Sequence, residues 1–131
     1  MPALNRIGQL TLTVDDLPAA TAFYRDVLEL PLLFEAGGMV FFQLEGQRLM
    51  LTTPLKPGEH YASILYFASE DIDADYSRLT AAGVAFQGEP AIEHRAPGYE
   101  LWLAFFTDPH GNTHALMEER QEAALEPGKP E

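Results

Sequence analysis

Histidine is the side chain best suited to moving protons near neutral pH, and this chain has four, at positions 60, 94, 110 and 114. His94 is the candidate for catalysis. It stands between Glu93 and Arg95 in a Pro-flanked stretch, 89–98, ahead of Trp102. An imidazole, an acid and a cation are thus close together, and the imidazole is the general base of that group. The plainer reading of His94 is an exposed loop histidine. His60 lies in a linker and His110 in the turn Asp108-Pro109-His110-Gly111-Asn112, and both read as solvated. His114 falls on the core parity of its strand and reads as a tucked structural histidine. The four spacings form no His-x-x-x-His or similar metal pattern. Cysteine is absent, which removes disulfides, thiolate nucleophiles and Cys-based zinc sites together. Gly37-Gly38 is a turn rather than a phosphate cradle, and Ser63, Ser69 and Ser77 have no triad partners beside them.

A second group of residues suits binding rather than proton transfer. Tyr66 shares strand parity with Ile64 and Ala68, and Trp102 shares parity with Ala104 and Phe106. Tyr and Trp join a large apolar body to a polar tip, so both are candidates for stacking on a ligand, with burial in the core as the alternative. Met50 would add an adaptable apolar wall.

The elements that must position these groups occur twice. Leu10-Thr11-Leu12-Thr13-Val14 runs into Asp15-Asp16-Leu17 and a helical stretch ending at Leu28, and Ile64-Leu65-Tyr66-Phe67-Ala68 runs into Glu70-Asp71-Ile72 and a helical stretch ending at Gly83. Asp16-Leu17 and Asp71-Ile72 are 55 residues apart. Asp15 or Asp16 can cap the first helix, accepting from its first free N–H groups, and an acidic cap likewise precedes the second. Two copies make two half-domains, not an array, which needs three or more repeats, and they direct attention to the cleft between halves. In the first strand Gln9, Thr11 and Thr13 alternate with Leu10, Leu12 and Val14, the pattern of a sheet with one apolar face under a helix. Further strands are expected at 39–44, 48–52, 84–87, 100–107 and 113–118, with a linker at 53–60. Gly83 suits a left-handed exit from the second helix; Glu29 stands near that place in the first, so the two helices are expected to end differently.

The whole is one domain of residues 1–119, with half-modules at about 5–54 and 61–119 and a flexible acidic tail at 120–131. With 47% apolar residues the chain can bury a core. Its charge of −12 makes nucleic acid a poor partner, because binding it depends on Lys and Arg neutralising phosphates. The charge reads as a solubility device or as attraction for a cationic ligand. No apolar run approaches the roughly 20 residues of a membrane span, and the first residues lack the apolar stretch of a signal peptide. A soluble, cytoplasmic protein is expected.

Val14-Asp15-Asp16-Leu17 followed by Ala22-Phe23-Tyr24-Arg25-Asp26-Val27-Leu28, the second-half Asp71-Ile72-Asp73-Ala74 with Ala82-Gly83-Val84, and the closing Asp108-Pro109-His110-Gly111-Asn112 together resemble the vicinal oxygen chelate superfamily. That group contains glyoxalase I, bleomycin-resistance proteins, extradiol dioxygenases and methylmalonyl-CoA epimerase. The resemblance implies an α+β fold of tandem βαβββ modules forming a curved mixed sheet around a cleft, often in a homodimer. It also implies four inward positions that hold a divalent metal in the superfamily's enzymes. Carried over, they are Gln9, Met50, Ile64 and Ala115. Only Gln9 is an oxygen or nitrogen donor of the kind such metals take, and shifting a strand by one residue turns its side chains to the opposite face. No metal and no cofactor are therefore expected. The expected function is binding of a small organic molecule, cationic or aromatic, with Gln9, Met50, Ile64, Tyr66, Trp102, Phe106 and Ala115 lining the cleft. The alternatives are a metal-dependent lyase or isomerase acting on a carbonyl or thioester, and an interaction module whose cleft is filled.

Overall fold

Each half of the repeat begins with a strand that pairs, in parallel, with the strand that closes the same half. The computed structural model describes residues 4–122. The described residues divide into two units, one of 4–63 with Asp108–Asn112, the other of Ile64–Thr107 with 113–122. The part of the expected tail from 123 onward lies outside the described residues.

In the first unit β1 (Gln9–Thr13) leads through Asp16 to α1 (Leu17–Ala22), which passes directly into a π-helical turn, Phe23–Val27. Asp16 accepts from the Ala19 N–H at 3.0 Å and so caps the helix. Strands β2 (Leu32–Ala36), β3 (Met39–Leu44) and β4 (Gln47–Thr52) follow, in the sheet order β1-β4-β3-β2. β1 and β4 are parallel, the other pairs antiparallel. One face of this sheet carries Leu12, Leu49, Leu51, Val40 and Phe42, all buried, and Phe42 meets the ring of Tyr24. The other face carries Gln9, Thr11, Arg48, Met50 and Phe41, brought side by side by the register Gln9↔Arg48, Thr11↔Met50 and Phe41↔Met50.

In the second unit β5 (Leu65–Ala68) leads to α2 (Ile72–Ala81), capped by Asp71 accepting from the Ala74 N–H at 3.1 Å. Asp16 with Ala19 and Asp71 with Ala74 are thus the same cap, 55 residues apart in the chain. β6 (Ala85–Phe86) and β7 (Ala91–Ala96) lie along one edge of β8 (Tyr99–Thr107), whose other edge pairs with β9 (Thr113–Gln121). β5 adds to β9 in parallel. Buried Ile72 and Leu79 of α2 belong to the same core as Phe106, Leu116 and His114. Among the described residues no helix is long and apolar enough to cross a membrane.

Four readings of the sequence need correction. The stretch 89–98 is mostly strand, so His94 belongs to a ladder and not to a loop. β2 was not among the strands read from the residues, although the implied βαβββ module requires a third strand after the helix. β9 runs through Gln121, so Arg120 and Gln121 are sheet residues rather than tail. Finally, both helices leave through a left-handed residue, Glu29 at φ 61° and Gly83 at φ 96°, although the first does so after a π-turn in which Leu28 N–H bonds Phe23 O at 3.0 Å.

Candidate functional site

The positions identified from sequence divide by unit and by face. In the first unit Gln9 and Met50 are adjacent, with the amide Nε2 3.8 Å from the thioether sulfur. Both stand on the face away from α1, Gln9 exposed and Met50 half-buried. Arg48 stands beside Gln9 in the next strand, its guanidinium 5.8 Å from the ring of Phe41. Phe41 in turn stacks on Phe34 at 4.5 Å.

In the second unit Tyr66 and Ala115 are register partners. Ala115 opposes Phe105, whose ring meets that of Tyr66 edge-on at 6.1 Å. Tyr66 is exposed, as is Ile64 just ahead of β5, while Ala115 is fully buried. His94 joins this face because it opposes Leu101. Its ring lies 6.1 Å from Tyr99, and the Tyr99 hydroxyl donates to Glu119 at 2.6 Å. That hydrogen bond, more than desolvation, raises the Tyr99 pKa.

Trp102 and Phe106 do not share that face. Trp102 opposes Glu118 and Phe106 opposes His114, which places both on the side covered by α2. Phe106 is fully buried among Phe67, Phe86 and His114. Trp102 lies under the Arg120 guanidinium at 4.2 Å and donates to Glu100 at 3.0 Å. This N–H is the first cause of the lowered Glu100 pKa, ahead of the Arg95 charge. Arg120 also holds Glu118 at 2.8 Å and Asp73 at 3.2 Å, and Glu118 accepts from the Ile72 N–H at 2.8 Å. These contacts tie α2 to its sheet. β8 has large apolar residues at both parities, and no alternation within it tells one face from the other.

Register also relates two of the four implied metal positions to each other. Thr11 pairs with Met50, and its counterpart in the repeat, Tyr66, pairs with Ala115. Met50 and Ala115 are therefore equivalent positions of the two halves. Taken one by one, the four positions carry an amide, a thioether and two alkyl groups, which do not fit a hard or borderline divalent metal. Among the described residues no group of three His, Asp or Glu side chains is arranged to hold one.

The histidines outside this set sort as follows. His114 is fully buried and its Nδ1 accepts from the Leu65 N–H at 3.4 Å, as its core parity predicts. His60 and His110 are close together, their rings stacked 6.1 Å apart. His60 Nδ1 is 3.2 Å from the Thr13 hydroxyl, and His110 Nδ1 is 3.2 Å from both the backbone N–H and a carboxylate oxygen of Asp15. This grouping was not legible in the sequence, because it joins residues from 13, 15, 60 and 110. Arg48 was missed for another reason: its parity with Met50 was readable but its neighbours in β1 and β3 were not.

A family model described as Glyoxalase/Bleomycin resistance protein/Dioxygenase superfamily matches residues 6–116. No curated protein sequence matches the chain. Among solved structures, a lactoylglutathione lyase from Agrobacterium tumefaciens is 28% identical, with a TM-score of 0.68 over 89% of this chain and 95% of that one. TnmS3, an antibiotic-binding protein from Streptomyces sp. CB03234, is 25% identical, with a TM-score of 0.70 over 90% of this chain and 98% of that one. A superfamily member from Sphaerobacter thermophilus DSM 20745 is 25% identical, with a TM-score of 0.71 over 88% and 98%.

Proposed function

Since the chain belongs to the Glyoxalase/Bleomycin resistance protein/Dioxygenase superfamily, we propose that it binds a small organic molecule on its helix-free sheet faces, without a divalent metal. The observation that carries this reading is the composition of those faces. In each unit one face is sealed by the helix, and the other combines part-exposed apolar or aromatic side chains with a few polar ones. Gln9 with Met50 in the first unit, and His94 with Tyr99 in the second, have the mixture of apolar wall and orienting polar group that ligand sites use. Gln9 and His94 supply the polar contacts, and Ile64 and Ala115 belong to the wall. The antibiotic-binding relative at 25% identity supports a binding role. The lyase at 28% identity favours an enzyme, with His94 as the proton acceptor, but the amide, thioether and alkyl groups at the metal positions do not supply that enzyme type's Lewis acid. The proposed working form is a cytoplasmic homodimer that sequesters its ligand.

Methionine methyl groups report on both faces, because Met39 and Met50 belong to the first and Met117 to the second. With ¹³C-methyl methionine in tag-free protein, a panel of aromatic and aliphatic amines, amides and carboxylates should give saturable shifts at these methyls in the presence of EDTA. Elemental analysis after dialysis with nickel, zinc, manganese and iron should find far less than one metal per chain. Stoichiometric retained metal, or silence of all three methyls to the whole panel, would overturn the reading. Trp102 fluorescence is a poor substitute, since that ring stands on the helix side.

A further inference from the structure

The helix-free face of the first unit has a charge opposite in sign to that of the chain. The protein as a whole carries −12, yet among the described strand residues of this face there is no Asp or Glu, and Arg48 is the one ionised side chain. Arg48 is exposed. Among the described residues it has no carboxylate partner, and its guanidinium is placed instead over the Phe41 ring, 5.8 Å from the centroid. An aromatic face holds a guanidinium in orientation while leaving its N–H fork free for a planar anion. The cation is not a product of the duplication. Because Met50 and Ala115 are equivalent in register, the counterpart of Arg48 is the neutral Thr113.

The neighbours of Arg48 favour the same kind of ligand. Gln9 is its register partner in β1, and the Gln9 amide N–H is directed at the Met50 sulfur at 3.8 Å. A thioether is a weak acceptor, so an oxyanion would readily take its place. Two residues further along the strands, about 7 Å away, the polar row gives way to half-buried Met50 and buried Phe41, over which Phe34 stacks at 4.5 Å while itself 46% exposed. Met50 and Phe34 thus offer apolar surface beside a single cation.

We propose that this face seats an aromatic carboxylate. The Arg48 guanidinium pairs with the carboxylate, the Gln9 amide donates to it, and the ring system lies over half-buried Met50 toward exposed Phe34. This deepens the small-molecule reading above and rests on it. It also assigns to this face the opposite ligand charge from the one the total charge invites.

The test compares three naphthalene probes that differ in head-group charge on the full chain: 2-naphthoate, 2-naphthamide and 2-naphthylmethylamine, each titrated while the methionine methyls are observed. Naphthoate should shift Met50 and Met39 and bind about tenfold tighter than the amide, the usual advantage of a charge-assisted hydrogen bond over a neutral one. R48Q should remove that advantage, bringing naphthoate to within about twofold of naphthamide on the same variant. R48K, which keeps the charge but loses the planar fork, should weaken naphthoate and retain a preference for it. This second variant tests the assignment even where R48Q unfolds the chain. An amine bound as tightly as the carboxylate, unaltered naphthoate affinity in folded R48Q, or naphthoate shifts confined to Met117 would each overturn the anion seat while leaving small-molecule binding intact. Silence of every methyl to all three probes would count against both.

Discussion

Tyr24 has its ring fully buried and its hydroxyl donating to Asp108 Oδ2 at 2.7 Å. Asp108 also accepts from the Asn112 side chain at 3.0 Å and from the backbone N–H groups of His110 and Asn112 at 3.0 and 2.8 Å. Burial first, then the hydrogen bond and the charge of Asp108, push the Tyr24 pKa far above the ordinary tyrosine value. Replacing Tyr24 with Phe should cost about 2 kcal/mol at neutral pH, the typical value of a buried hydrogen bond to a charged group. The raised folded-state pKa makes this stabilisation complete below the unfolded value near pH 10 and causes it to fall as pH rises beyond that. Urea unfolding at pH 7, 9 and 11 should therefore show wild type losing stability more steeply above pH 10 than Y24F. Parallel losses would sink the assignment. Tyr24 follows Leu17 and Ala20 at helical spacing, so its place on the core side of its helix was readable locally. Its hydroxyl's partner was not, because Asp108 is 84 residues away.

At the level of elements, the two aspartate caps are the repeat's most local feature and the simplest to test. Asp16 and Asp71 each satisfy an otherwise free N–H in a helix's first turn. D16A and D71A should each destabilise the protein by roughly 1 kcal/mol. Asp71 has the longer helix behind it, ten residues against six before the π-turn. A change below a few tenths of a kcal/mol in chemical denaturation, at either position, would show that the cap bond contributes nothing. The caps were legible because they depend on residues three apart. β7 was not, because its side chains are largely exposed: an edge strand held by its ladder to β8 shows no apolar period and looks like a loop. β2, flanked by Pro31 and Gly37-Gly38, escaped notice for a similar reason, with four of its five residues exposed.

For the molecule as a whole, 20 acidic against 8 basic residues impose a self-repulsion that opposes compaction. Added salt screens it, since the Debye length falls from about 30 Å at 0.01 M to about 8 Å at 0.15 M. The Tm should therefore rise as sodium chloride is raised through that range at pH 7. A Tm that fell instead would mean that ion pairs such as Arg120 with Glu118 and Asp73 outweigh the net repulsion. The repeat visible in sequence became, in three dimensions, two sheets in which parallel pairing of the first strand with the last recurs. That recurrence made Met50 and Ala115 equivalent and identified Arg48 as a departure from it.

Sequence alone determined the duplicated strand–cap–helix unit, the two-faced first strand and the family resemblance. All of these depend on residue identity or on spacings of a few residues, which covalent geometry converts directly into caps and faces. Only the tertiary structure decided that Trp102 and Phe106 stand under α2, that His94 is on a strand beside Leu101 and Tyr99, and that Arg48 sits between Gln9 and Phe41. Those facts depend on which strand pairs with which and in what register. In β8, where both parities are apolar, nothing local selects a face, and pairing with β9 makes the choice.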